Sequence, residues 1–197
     1  MHFYACSATV EQNVEQNKDD LMKKITLAVL AASFIVAMAP AQASQEKRIP
    51  AEIYGADYRS AIYLVNNEKY NEAYPKILQL AQYGEKYPQF LLGMMLVSGQ
   101  GTEADVAAGL NWMRLALEQK HPDWQRKYDE VISQFSAEQL AALEPAFEEL
   151  KQKYGAAAQN IDCVYQKKNL NSNYRIHVCS KTAEVRGKYY TVVDHTE

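Results

Sequence analysis

The chain has no block of basic residues and, beyond residue 43, no long apolar run. Lysine and arginine number 21 against 24 aspartate and glutamate residues, for a formal net charge of −3. Binding to nucleic acid needs a basic face that neutralises phosphates, so this composition argues against it. A membrane helix needs about 20 apolar residues. We therefore expect no membrane span once the N-terminal segment has been removed.

Catalytic and metal-binding motifs are also missing. His121, His177 and His195 are scattered, and neither an H-E-x-x-H pair nor a G-x-S-x-G elbow occurs. The chain has only three cysteines, too few for the cysteine-rich zinc sites. We predict no metal, no cofactor and no enzymatic activity. A hydrolase of unknown type is a distant alternative.

The N-terminal segment has the order of a secretory signal peptide. Residues 22–24 are a short basic start, residues 25–36 are mostly apolar, and residues 41–43 read Ala-Gln-Ala. This order predicts export to the periplasm, with cleavage between Ala43 and Ser44. The residue after the cleavage site is serine and not cysteine, which argues against a lipid anchor.

Residues 1–21 do not fit a signal peptide, because they are polar and of mixed charge. We expect translation to begin at Met22. The codons for Lys18, Asp19 and Asp20 can contain a purine-rich ribosome-binding sequence a short distance before it. Residues 1–21 would then be untranslated.

Beyond the signal segment, three regions differ in pattern. Residues 44–52 are a polar lead-in that we expect to be loose. Residues 53–154 show apolar side chains at three- and four-residue steps, which predicts successive helices. Pro145 should kink or split the last of these helices, and Ser136 with Gln139 predicts a capping box before it. Residues 155–197 form a β-like tail.

The helical region contains a repeat. Ala73 and Ala81 are spaced like Ala108 and Ala116, with an offset of 35 residues between the pairs. A period of this length with two helices per unit is typical of the TPR-like class. Residues 91–119 then resemble a Sel1-like repeat of the exported bacterial type. The matching positions are Leu92, Gly93, Gly99, Gly101, Asp105, Ala108, Trp112 and Ala116.

This resemblance implies a mainly α fold, a short TPR/Sel1-like solenoid of helical hairpins with capping helices after residue 122. Gly93 and Ala108 would allow close helix contact, and Asp105 would cap the second helix. Gly99 and Gly101 would permit turn angles closed to other residues. The G-x-G spacing alone is a weak indication of phosphate binding, since no strand precedes it.

Two cysteines remain after the signal segment, Cys163 and Cys179. In an oxidising compartment they are expected to form a disulfide, and a loop of about 15 residues gives roughly 3 kcal/mol. Two free thiols or half of a metal site are the alternatives. The segments 161–166 and 174–178 have β-like patterns around a turn cluster, and 189–193 is a candidate third strand. The tail is therefore predicted to be a disulfide-linked hairpin.

If the first helices of successive units line a groove, two sets of side chains would face a partner. We predict partner contacts at Tyr58, Arg59, Ile62, Tyr87, Phe90, Met94 and Val97. Aromatic residues, methionine and arginine are enriched at interfaces, although the same residues could equally form core. The predicted function is a periplasmic adaptor or scaffold that binds a protein or peptide of the cell envelope. An inhibitor or immunity-type protein against one toxin or enzyme is the alternative.

Overall fold

The computed structural model describes residues 45–169, 173–184 and 187–195. The expected signal peptide, its cleavage site and the start at Met22 lie outside these residues. In chain order the elements are β1 (Gln45–Pro50), α1 (Ala51–Asn66), α2 (Tyr70–Gln82), α3 (Lys86–Ser98), α4 (Val106–Ala116), a 3₁₀ turn (Leu117–Gln119), α5 (Pro122–Ile132), α6 (Ala137–Ala141), α7 (Glu144–Tyr154), β2 (Ile161–Lys167), β3 (Arg175–Lys181) and β4 (Tyr189–Asp194).

The helices pack as consecutive hairpins, α1 with α2, α2 with α3, and α3 with α4. One core cluster lies among α1 to α4 and includes Ile77, Leu92 and Leu115. A second lies between α3, α4 and α5 and includes Val97, Met113 and Val131. The expected fold class, a short array of helical hairpins with a small disulfide-linked β-hairpin, is confirmed. Within the described residues, no helix is long and apolar enough to span a membrane.

The tightest packing is between α3 and α4, and it depends on two glycines. A Cβ on Gly93 would lie 2.7 Å from the carbonyl oxygen of Gly109 and 2.8 Å from the backbone nitrogen of Met113. A Cβ on Gly109 would in turn lie 2.8 Å from the carbonyl oxygen of Gly93. The direct partner of Gly93 is therefore Gly109, while the half-buried Ala108 packs against the first core cluster.

The turn between α3 and α4 requires glycine. Gly99 ends α3 with φ 69°, and Gly101 follows with φ 75°. A Cβ on Gly101 would collide with the backbone carbonyl of Tyr70, so this turn also packs against the start of α2. Asp105 then caps α4, because its carboxylate accepts the backbone N–H of Ala108 at 3.0 Å.

The last helical region is split at Pro145. Helix α6 ends at Ala141 and α7 begins at Glu144, which puts the proline in the first turn of a new helix, where its missing N–H costs little. Ser136 and Gln139 form the expected capping box at the start of α6. The proline therefore separates two short helices and does not distort one long helix.

The lead-in is a strand, contrary to the expectation that it is loose. Strand β1 pairs antiparallel with β4, with Gln45 opposite Asp194 and Pro50 opposite Tyr189. The ribbon is fixed because Val192 is fully buried and Ile49 packs against the first core cluster. The polar sequence of β1 shows no alternation that predicts a strand. The expected third strand exists as β4, but it pairs with β1 and not with the tail hairpin.

Strands β2 and β3 form the tail hairpin, antiparallel, with Cys163 directly opposite Cys179. The two sulfurs are bonded, and the expected disulfide is confirmed. A two-stranded ribbon is only marginally stable alone. The disulfide holds the two strands to each other, and the contacts of β3 with the 3₁₀ turn hold the hairpin to the helices.

We predict that Gly93→Ala lowers the free energy of unfolding by about 1–3 kcal/mol, because the new methyl group would meet backbone atoms of α4 that cannot move separately. Gly55→Ala is the matched control. There the nearest atom to a new Cβ is the flexible Arg59 guanidinium, so the better helix propensity of alanine should leave stability equal or higher by up to about 1 kcal/mol. Urea unfolding measures both, and equal stabilities for the two variants would contradict the packing described for Gly93.

Candidate functional site

The predicted groove is only partly open. Phe90, Met94 and Val97 are buried in the second core cluster, so these three cannot contact a partner as we expected. The reason is α5, which covers this side of α3. Trp124 of α5 stacks on Phe90 with ring centroids 5.1 Å apart, and on the half-buried Tyr87 at 5.9 Å.

Of the other predicted contacts, the half-buried Tyr87 lies on α3, and the remaining three lie on α1. Ile62 is half-buried and packs against the first core cluster. Tyr58 and Arg59 instead line an open cleft of about 480 Å³ between α1, the turn before α3, and the tail hairpin. We call this space the hairpin cleft. Its lining residues are Ala51, Tyr54, Gly55, Tyr58, Arg59, Glu85, Cys179, Ser180, Lys181 and Tyr190.

The turn before α3 places Glu85 in the cleft. Gly84 adopts φ 87°, and a Cβ there would collide with Ile161 and Gln159 of the tail, so glycine lets the turn approach the hairpin. The Glu85 carboxylate accepts the Tyr54 hydroxyl proton at 2.6 Å. Burial raises the pKa of Glu85, while the hydrogen bond from Tyr54 and the charge of Lys181 act in the opposite direction.

Lys181 enters the cleft from the end of β3. Its ammonium donates to the backbone carbonyl of Gln159 at 2.8 Å. Burial lowers the pKa of Lys181 to about 8, against the opposing effect of Glu85 and together with the repulsion from Lys86. Lys181 therefore changes charge within a pH range that is accessible in solution.

Arg59 and Tyr58 form the α1 wall. The side chain of Arg59 folds back along its helix, so that a Cβ on Gly55 would lie 3.2 Å from Nη1. Burial raises the pKa of the Tyr58 phenol, with a further contribution from Glu85, so Tyr58 stays neutral. Tyr190 of β4 packs against Tyr54 with ring centroids 4.7 Å apart and forms the aromatic floor.

A buried polar network holds this region to the helices. The ammonium of Lys86, only 3% exposed, pairs with the Glu118 carboxylate at 2.7 Å and donates to the Gln89 side chain at 3.0 Å. The same Glu118 carboxylate accepts the backbone N–H of Ala156 at 2.9 Å, and Gln89 donates to the Tyr154 carbonyl at 2.8 Å. Burial lowers the pKa of Lys86, and Glu118 counteracts this effect.

Gln119 attaches the hairpin to the 3₁₀ turn. Its side-chain oxygen accepts the N–H of Cys179 at 2.8 Å, and its side-chain amide donates to the carbonyl of His177 at 3.2 Å. The side-chain amide of Gln119 thus forms the two backbone hydrogen bonds with β3 that a neighbouring strand would form. This attachment fixes Cys179, Ser180 and Lys181 at the cleft.

The three histidines that the structure describes do not converge on a site. His121 is the residue before α5 and stacks on Trp124, His177 contacts Tyr165, and His195 contacts Tyr154. Among the described residues, no group of three histidine, cysteine or acidic side chains is placed to hold a metal ion. Glu85 and Lys181 were not predicted from the sequence, since neither belongs to a motif. The local signal that could have indicated Glu85 is its position directly after Gly84, at the end of a predicted helix.

No family model matches the chain, and no curated protein matches it. Among solved structures, the chain is similar to a protective antigen present in uropathogenic Escherichia coli strains that displays an SLR (Sel1-like repeat) fold. The identity is 18% and the TM-score 0.46, over 59% of this chain and 27% of that protein. The matched part thus spans about a quarter of the antigen, and nothing about partners or activity follows from it.

We predict that the free energy of unfolding rises between pH 7.5 and 9.5, by up to about 2 kcal/mol from Lys181. The folded pKa of Lys181, about 8, lies below its unfolded value near 10.4. The unfolded state therefore binds more protons in this window, and raising the pH favours the folded state. Lys181→Gln should show a smaller rise, while Lys47→Gln on the exposed β1 surface should keep it. An identical rise in the two variants, measured by urea unfolding, would refute the assignment to Lys181.

Proposed function

We propose that this protein is an exported, non-catalytic interaction module of the cell envelope. It binds a segment of a partner protein in the hairpin cleft and acts as a periplasmic adaptor. The proposal is supported by the exposed arginine and the half-buried tyrosine of the cleft, by the exposed apolar side chains of the hairpin, and by the disulfide.

The observation that carries the proposal is the position of Arg59 beside Tyr58 at the mouth of the cleft. Arg59 is exposed, and among the described residues it forms no ion pair. Arginine and tyrosine are, with tryptophan, the residues most enriched at the energetic centres of interfaces. A guanidinium next to a concave, partly aromatic surface offers a partner both hydrogen bonds and apolar contact.

The hairpin extends this surface. Val164 and Tyr165 of β2 are large apolar side chains that are 52% and 56% exposed. Consecutive side chains of a strand point to opposite faces, so each face of the hairpin presents one of these exposed apolar side chains to a partner. A partner seated in the cleft would have the hairpin beside it.

The proposed compartment follows from the disulfide and from the signal-peptide pattern of residues 22–43. Disulfides persist in oxidising compartments such as the periplasm and are rare where thiols are kept reduced. The Cys163–Cys179 bridge belongs to the element that forms one wall of the cleft, so the binding site itself depends on such a compartment.

We predict that in-cell crosslinking of the tagged chain, with its own N-terminal segment intact, captures one dominant protein. Arg59→Glu should reduce its capture at least tenfold through charge reversal, and Ser180→Trp should do so by filling the cleft from the exposed face of β3. Mass spectrometry identifies the captured protein, and its identity separates an adaptor from an inhibitor of one toxin or enzyme.

The matched control is Arg126→Glu, a charge reversal at an exposed arginine of α5 that pairs only with Asp123 among the described residues. It should leave capture unchanged. Capture that persists in both cleft variants, or that is lost in the control, would contradict the proposed site. Variants at Phe90 or Met94 are unsuitable, because both are core residues and would test stability in place of binding.

A further inference from the structure

We propose that the hairpin cleft recognises the free C-terminal carboxylate of its partner polypeptide, bound by Arg59 with Lys181 as a second donor. This inference rests on the proposed function and specifies which part of the partner occupies the cleft. It follows from the charge of the lining, the free donors, and the size and character of the walls.

The charge of the lining favours a single negative charge. Of the lining residues, only Arg59, Glu85 and Lys181 are charged, so with all three ionised the cleft carries one excess positive charge. The whole chain has a net charge of −3, so this local excess is contrary to the average surface. Lys86, which lies behind Glu85, is balanced by Glu118. One carboxylate would therefore neutralise the site.

Arg59 is positioned to meet that carboxylate. Its guanidinium lies along Gly55, where the missing Cβ leaves room for it against the helix. A guanidinium presents parallel N–H groups that fit the two oxygens of a carboxylate.

Lys181 and Glu85 complete the polar side. One N–H of the Lys181 ammonium is used on the Gln159 carbonyl, which leaves two donors for a ligand. One oxygen of Glu85 accepts from Tyr54, and the other can accept the backbone N–H of the last residue of the ligand. The cleft thus has donors for a carboxylate and an acceptor for the amide that precedes it.

The walls and the volume indicate a chain end. Tyr54, Tyr58 and Tyr190 offer ring surface for an apolar or aromatic last side chain. A space of about 480 Å³ is within the range of small-ligand sites and has room for the last one or two residues of a chain. A phosphate carries up to two charges and no apolar part, so it fits this site less well.

The test compares two peptide pools on the purified protein by ¹H–¹⁵N NMR titration. One pool contains N-acetylated tetrapeptides with a free carboxylate and an aliphatic or aromatic last residue, and the other contains the same peptides as C-terminal amides. We expect the free acids to shift the amide signals of Gly55, Arg59 and Lys181. The amides should bind at least tenfold more weakly, because they lack the charge and one acceptor oxygen.

Two variants and the pH dependence test the named donors. Arg59→Gln should weaken free-acid binding about tenfold or more, and Arg126→Gln should leave it unchanged. In the native protein, affinity should fall as the pH rises through about 8, because that is the pKa of Lys181. The charged and titratable groups that surround Lys181 are Glu85, Lys86, Arg59 and the three tyrosines of the cleft. Lys181→Gln keeps a donor for the Gln159 carbonyl, so the fold is retained while this pH dependence should disappear.

Equal binding of acid and amide pools, no binding by either pool, or competition by inorganic phosphate or free amino acids as effective as the peptides would overturn the carboxylate proposal. None of these results would affect crosslinked capture of a partner that depends on Arg59 and Ser180. Loss of that dependence would remove the proposed function itself, so the two failures are distinguishable.

Discussion

The ion pair between Lys86 and Glu118 connects parts of the chain that helix packing alone would leave separate. A buried ammonium is stable only when a carboxylate and further hydrogen bonds replace the water it has lost. Glu118 supplies the charge and Gln89 a second acceptor, and each of these partners also bonds to the backbone just before or after the end of α7. The helical hairpins, the 3₁₀ turn and the tail must therefore adopt their positions together. The cleft at their junction inherits this rigidity.

Features that depend on a few neighbouring residues were predictable from the sequence. The split at Pro145, the capping box of Ser136 and the pairing of Cys163 with Cys179 each follow from local chemistry or from counting. Strand β1 was not predictable, because its stability comes from β4, which lies more than 130 residues later. Lys86 is a similar case, since a lysine at a helix start resembles a surface residue until its distant partner is known.

The residues of the candidate site also divide into those that a local pattern predicts and those that depend on distant parts of the chain. Tyr58 and Arg59 were predicted from one helix face, and both line the cleft. Phe90, Met94 and Val97 follow an equally good helical pattern, but Trp124 and the rest of α5 cover that side. Helical periodicity identifies the apolar face of a helix, but it does not show whether another helix of the same chain packs on that face. The other half of the cleft, Glu85 and Lys181, comes from a turn and a strand 96 residues apart, which no pattern in the sequence connects.

The pairing of β1 with β4 joins the two ends of the described chain. A polypeptide that emerges N-terminus first presents β1 long before β4 exists, so β1 has no partner until nearly the whole chain is available. Contacts between segments so far apart also form slowly, since a large loop must close first. A solenoid of hairpins can fold progressively from one end, whereas this one is closed only by its final strand.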